Sequence, residues 1–194
     1  IAIFEENRLS HVAVIPVGGA NITNDLAIGL RIPIEVAETV KLSYGSALAK
    51  EVSARDAIEL SKIDARARGT ITKKFIAEII EDRLAEIFEL VNNEVKRIGK
   101  ISQLPAGVVL VGGTAKMPAI TELARQELKL SAQIGVPDLS RFTTADAELH
   151  TRAEDPEFAT AIGLLINPVE SSELVRPSES AANLAKKILH YFIP

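Results

Sequence analysis

The longest regular pattern in the chain runs from Lys73 to Ile98. Ile76, Ile80, Leu84, Ile87, Val91, Val95 and Ile98 recur at spacings of three and four, while Glu78, Asp82, Glu86, Glu89 and Arg97 fall on the other side. That alternation predicts one amphipathic helix of about seven turns, closed by Gly99. Upstream, residues 1–5 read as a strand. Glu6-Asn7-Arg8 reads as a turn, and His11 to Val17 as the returning strand, bounded by Pro16 and Gly18-Gly19. Polar residues from Asn21 to Asp25 ahead of Leu26, Ile28 and Leu30 predict a helix that Pro33 stops. A second helix is expected from Ile34, carrying Val36, Ala37, Val40 and Leu42, to Gly45.

Residues 50–72 are charged and weakly periodic; Ala65 to Ile71 reads as a strand broken at Gly69. Val108 to Val111, an apolar run behind Pro105-Ala106-Gly107, predicts a buried parallel strand. A helix from Met117 to Leu128 with Pro118 in its first turn, a strand from Ala132 to Val136, and a small-residue helix from Phe158 to Ile166 follow. Strands alternating with helices give an α/β class with a partly parallel sheet.

Residues 167–182 are dominated by Pro, Ser and Glu and read as a linker. Residues 183–194 turn apolar and basic. Leu184, Ile188, Leu189 and Phe192 gather toward one side of a helix, with Lys186 and Lys187 largely away from it. Such a segment either docks on its own domain or lies in a membrane interface, with its lysines near anionic headgroups.

Composition narrows the function classes. A net charge of −4 gives no footprint for nucleic-acid binding, and no cysteine is available for a disulfide or a thiolate metal site. The three histidines are too far apart in sequence to suggest a metal site, so none is expected. No apolar run reaches the length of a membrane-spanning helix. The chain opens on Ile1 inside an apolar run, which we read as a fragment.

Two motifs carry candidate chemistry. In Val108-Val109-Leu110-Val111-Gly112-Gly113-Thr114-Ala115-Lys116-Met117-Pro118-Ala119-Ile120, a buried strand delivers a glycine pair to the start of a helix. Residues without Cβ let a ring or phosphate approach the backbone, although any tight strand-to-helix turn also uses them. In Ala37-Glu38-Thr39-Val40-Lys41, Glu38 and Lys41 are three apart and share a helix face.

The first run resembles the adenosine-binding loop of the actin, Hsp70 and sugar-kinase superfamily, and Ala37 to Lys41 is similar to the helix that borders the ribose there. By that resemblance Gly112, Gly113, Thr114 and Met117 face an adenosine, and Glu38 and Lys41 its ribose. The combination of Ile15 to Ala27, Ala37 to Ala47, Glu89 to Glu94 and Thr160 to Leu165 resembles the FtsA family of bacterial cell-division proteins.

The resemblance implies the second domain of an actin-like ATPase over residues 1–166. It comprises a ribonuclease-H-like sheet with helices and a smaller inserted α/β subdomain within about 36–100. It further implies ATP, with Mg²⁺ in the full-length protein, self-association into filaments, and binding of the C-terminal tail of FtsZ. The linker at 167–182 and the helix at 183–194 would hold the protein on the cytoplasmic face of the membrane at the septum. Arg83, Lys96, Arg97 and Lys100 are then candidates to meet acidic groups of the FtsZ tail. The family's second phosphate loop and first domain are not within these residues, so no catalytic residue is assigned and the fragment is not expected to hydrolyse ATP. Related alternatives are a type IV pilus assembly protein, a rod-shape actin or a sugar kinase.

Overall fold

A computed structural model describes residues 1–65, 67–100, 103–140 and 147–165. It falls into two compact units, Ile1–Gly135 and Val136–Pro194. The expected linker and terminal helix at 167–194 lie outside the described residues.

The chain opens with an antiparallel hairpin, β1 (Ala2–Glu5) and β2 (Arg8–Val12). The turn is tighter than the sequence suggests. Glu6 and Asn7 both take positive φ, 49° and 62°, the geometry of a two-residue hairpin turn that matches strand twist. The second strand therefore starts at Arg8, not His11. It ends by Ala13, whose N–H and C=O pair with Ile1. Two pairs fasten the hairpin to the far end of the long helix: His11 Nε2 lies 2.6 Å from Glu94 Oε1, and Lys100 Nζ 2.6 Å from Glu5 Oε1.

α1 (Gly19–Leu30) begins two residues before the expected polar cluster. Asn21 turns back so that its Oδ1 accepts from the Gly18 N–H at 2.9 Å, and this makes Gly18 the cap. The helix stops at Arg31, in the left-handed conformation, ahead of Pro33. α2 (Ile34–Tyr44) ends as expected at Gly45, whose N–H bonds the Lys41 carbonyl. β3 (Ala57–Glu59), which the sequence pattern hides, pairs antiparallel with β4 (Thr70–Thr72). The strand expected from Ala65 is thus only three residues long. Gly69, at φ 108°, separates it from what precedes, and Thr72 at once caps α3 through the Phe75 N–H.

α3 (Lys73–Arg97) matches its periodicity: Ile76, Ile80 and Leu84 are buried, and Glu78, Asp82, Glu86, Glu89 and Arg97 are exposed. Ala77 and Phe88 join the buried face. This face packs with Ile22 and Leu26 of α1, Val36 and Val40 of α2, and Leu123 and Ala124 of a later helix into one core. Arg83 ties α3 to α1, its Nη2 donating to Asp25 Oδ1 at 3.0 Å and its Nε to the other oxygen.

β5 (Val108–Leu110) runs parallel to β6 (Ala132–Ile134), as expected. It is not the buried strand expected: Val108 and Leu110 are half-buried against the core, while Val109, on the other face, is 52% exposed. α4 (Ile120–Leu128) starts three residues later than expected. A 3-10 turn at Gly113–Lys116 and a left-handed Ala119 come first, so Pro118 lies ahead of the helix rather than in its first turn. In the second unit α5 (Ala147–Ala153) was not legible, and Phe158 belongs to a 3-10 turn that leads into a helix over 159–165.

The Glu94 contacts give a pH prediction. Hydrogen bonds from Arg97 and then His11 hold its carboxyl down from 4.5 to about 2. A depressed carboxylate contributes stability above its ordinary pKa and loses it as pH falls through the folded value. Amide-exchange protection of β1 and β2 is therefore expected to hold above pH 4.5 and to fall between 4.5 and about 2. Glu94→Gln should start from lower protection near neutral pH and show a flatter profile. Superimposable profiles would remove Glu94 from hairpin docking.

Candidate functional site

Glu38 and Lys41 face α1 from one side of α2, one turn apart, and meet Thr23 there. Lys41 is 9% exposed. Its Nζ donates to Glu38 Oε2 at 2.7 Å, to Thr23 Oγ1 at 2.7 Å and to the Gly19 carbonyl at 3.2 Å. Three acceptors match the three hydrogens of an ammonium group, which keeps a buried charge compensated. The Thr23 hydroxyl also donates to Glu38 Oε2. Burial pushes the Glu38 carboxyl up, but the hydrogen bonds from Lys41 and Thr23 and the nearby Lys41 charge outweigh it. The carboxyl sits below its ordinary value. Both hydrogen bonds use Oε2. Glu38 is 44% exposed and borders an open hollow of about 490 Å³ lined by Ala20, Thr23, Asn24, Ile34, Glu35 and Glu38.

The glycine-pair loop reaches this cluster through Thr114. A Cβ placed on Gly19 would stand 2.3 Å from Thr114 Oγ1 and 4.0 Å from Lys41 Nζ. The absent side chain at 19 is what lets the loop, α1 and α2 meet. Gly112 takes φ 96°, and a Cβ there would meet open space. Met117 is half-buried against the core. The Ala47 N–H donates to the Pro118 carbonyl at 2.9 Å, a second tie between this loop and the segment after α2. The structure thus brings Thr114, Glu38 and Lys41 together around Gly19, while of the six expected site residues Glu38 alone lines the hollow. Gly19 and Thr23 enter the cluster without having been singled out for it. Their spacing of four on α1 puts them on one face, and that was the signal available.

Three of the four cations considered for an acidic partner already have one in the chain. Arg83 pairs with Asp25 and Glu86, Arg97 with Glu94, and Lys100 with Glu5. Lys96 is exposed.

A family model described as "Cell division protein FtsA" matches residues 1–163. The chain belongs to the FtsA family. It is 37% identical over 166 residues to the FtsA of Pseudomonas aeruginosa, covering 86% of this chain and 38% of that protein. With the FtsA of Bacillus subtilis it shares 37% over 165 residues, covering 85% of this chain and 35% of that protein. With the FtsA of Escherichia coli the identity is 30% over 173 residues, 85% of this chain and 40% of the relative. The chain therefore spans between a third and two fifths of these relatives' length. Among solved structures, MreB5 of Spiroplasma citri bound to ADP superposes with a TM-score of 0.64 at 16% identity. That match covers 91% of this chain and 52% of the other, and it shows the fold: an actin-like ATPase α/β fold. The FtsA membership and this fold agree with the resemblance drawn from the sequence.

Proposed function

We propose that this FtsA-family chain is the nucleotide-handling second half of an actin-like scaffold of bacterial division. In this reading an ATP adenosine lies against Gly112, Gly113, Thr114 and Met117, with its ribose toward Glu38 and Lys41. The observation that supports it most directly is the meeting of Thr114, Lys41 and Glu38 around the Cβ-free Gly19. These residues come from two motifs more than 70 positions apart in the chain, and a simple turn would not require them to meet. The ADP-bound state of MreB5, which shares the fold, is in keeping with it. Mg²⁺ and the phosphate contacts belong to residues outside this chain in this reading, so hydrolysis is not assigned to it.

The scaffold role has two attachments. One is the C-terminal tail of FtsZ, held by the smaller subdomain. The other is the cytoplasmic face of the membrane, reached through Leu184, Lys186, Lys187, Ile188, Leu189 and Phe192, a basic amphipathic segment outside the described residues. Self-association into filaments and recruitment of later division proteins complete the reading.

Fluorescence anisotropy of a labelled FtsZ tail peptide, titrated with the chain and then with anionic vesicles, tests both attachments. We expect saturable binding that a scrambled peptide does not reproduce, and co-sedimentation of the peptide with vesicles that is lost, by at least about tenfold, in Phe192→Asp. A folded chain that ignores the peptide would remove FtsZ from the reading. Vesicle binding unchanged by Phe192→Asp would remove the tail.

A further inference from the structure

We propose that Glu81 positions the glycine-pair loop from α3, acting through the buried segment 46–49 that runs between them. The positioning is read from geometry; that it serves a nucleoside rests on the nucleotide reading above.

After α2 the chain passes through Ser46, Ala47 and Leu48 without helix or strand, and then enters the 3-10 turn Ala49–Glu51. Ser46 to Ala49 are all buried, Ala47 and Leu48 completely. Irregular backbone normally lies at the surface, because a buried N–H needs a partner that water no longer supplies. Here the partners come from both neighbours. The Ala47 N–H donates to the Pro118 carbonyl at 2.9 Å, and the Ala49 N–H to Glu81 Oε2 at 2.7 Å. The Leu48 N–H between them lies 3.5 Å from the Ser46 hydroxyl, a much weaker contact.

Two adjacent residues of α3 hold both ends of this strap. Ile80 Cδ1 lies 3.1 Å from where a Cβ on Gly45 would stand, and Glu81 holds Ala49. A Cβ at Gly45 would also run into the Lys41 carbonyl, so the strap leaves α2 this closely only because position 45 has none. On the other side the glycine-pair loop is a compact unit. The Ala115 N–H bonds the Gly112 carbonyl and the Met117 N–H the Thr114 carbonyl, each at 3.0 Å, so fixing Pro118 fixes the exit of the whole turn. The loop therefore takes its position from α3, with Glu81 as the polar link. A carboxylate is the stronger kind of acceptor for a backbone N–H. Without it the Ala49 N–H is left buried and unpaired, and the strap relieves that by moving toward water, drawing the Ala47 N–H off Pro118. The coupling works in both directions: a ligand resting on the loop must tighten the strap.

Amide exchange followed residue by residue by NMR tests this on the unaltered chain, Glu81→Ala and Glu81→Gln, each with and without saturating adenosine. Glutamine keeps an oxygen in reach of Ala49; alanine does not. We expect Glu81→Ala to speed exchange at both Ala49 and Ala47 by about tenfold, the size of a lost bond to a charged group. The buried Leu84 and Leu123 should keep their rates. Glu81→Gln should bring Ala47 and Ala49 back to within about threefold of the unaltered chain. Adenosine should slow both amides in the unaltered chain and bind about tenfold more weakly to Glu81→Ala. Faster exchange at Ala49 alone would make Glu81 a cap on the 3-10 turn and overturn the proposal. Equal acceleration of Leu84 and Leu123 would also overturn it, since it would reduce the effect to a general loss of stability. Adenosine that binds the unaltered chain without slowing Ala47 or Ala49 would overturn it as well, in a comparison that needs no variant to fold. No binding of adenosine to any of the three forms would remove the nucleotide reading, while the Ala47 rate in Glu81→Ala would still decide the positioning.

Discussion

Ile80→Ala is expected to lower the unfolding free energy by about 2–5 kcal/mol. Ile80 is fully buried on α3 and belongs to the core shared by α1, α2 and α4. Its Cδ1 reaches the end of α2, lying 3.1 Å from where a Cβ on Gly45 would stand. Truncation removes apolar burial and leaves a void that helices on three sides cannot readily fill, and the cavity term makes the loss larger than the transfer term alone. Since a domain keeps only about 5–15 kcal/mol in reserve, this single change removes a large part of it. Urea denaturation should show the midpoint falling with an unchanged m value. An exposed position on the same helix, Glu78→Ala, serves as the comparison and should stay within about 0.5 kcal/mol. A midpoint for Ile80→Ala no lower than that of Glu78→Ala would mean that α3 does not organise the core as described.

Gly19→Ala is expected to cost about 1–3 kcal/mol through overpacking, and to weaken any nucleoside that uses the loop and α2 together. The added methyl would stand 2.3 Å from Thr114 Oγ1, so either the threonine or the whole loop must move away from α1. The helix gains some propensity from alanine, which works against the loss. The neighbouring glycine supplies the control. Gly18 has extended backbone at φ −169°, and a Cβ there meets nothing within 4 Å. Gly18→Ala meets no such clash and should lose only the weaker capping of alanine at the start of α1, about 1 kcal/mol or less in a thermal or urea melt. If the two variants melted together, the contact between Thr114 and α1 would have no energetic weight.

How far the sequence reveals this fold depends on which interactions set each element. α3 was readable because its burial depends on periodicity alone, and 25 residues average out local exceptions. α2 was readable because Pro33 and Gly45 mark both ends. The elements misplaced were set by particular local bonds. Asn21 folding back on Gly18 moved the start of α1, the positive φ of Glu6 and Asn7 shortened the hairpin turn, and the left-handed Ala119 delayed α4. β3 escaped notice because three residues, Ala57–Glu59, carry no period of their own and depend on β4 for definition.

The candidate site divides in the same way. Glu38 and Lys41 share a helix face by spacing, so their pairing follows from the sequence. Thr23 and Gly19 join them only through the packing of α1 on α2, a tertiary contact that neither motif encodes. The stripe of Ile76 to Leu84 told which face of α3 is buried, but the ties made by Arg83, Arg97 and Lys100 to Asp25, Glu94 and Glu5 had no comparable signature.

α3 also has a mechanical meaning. At 25 residues it is about 37 Å long at 1.5 Å per residue. β4 and its cap hold one end, while the Glu94 and Lys100 pairs hold the hairpin at the other. A rigid rod of that length is a lever: a tilt of about 5° at the β4 end displaces the hairpin end by about 3 Å. That is more than a hydrogen bond tolerates, so a tilt of α3 relative to the hairpin by that amount would break the His11 and Glu5 pairs.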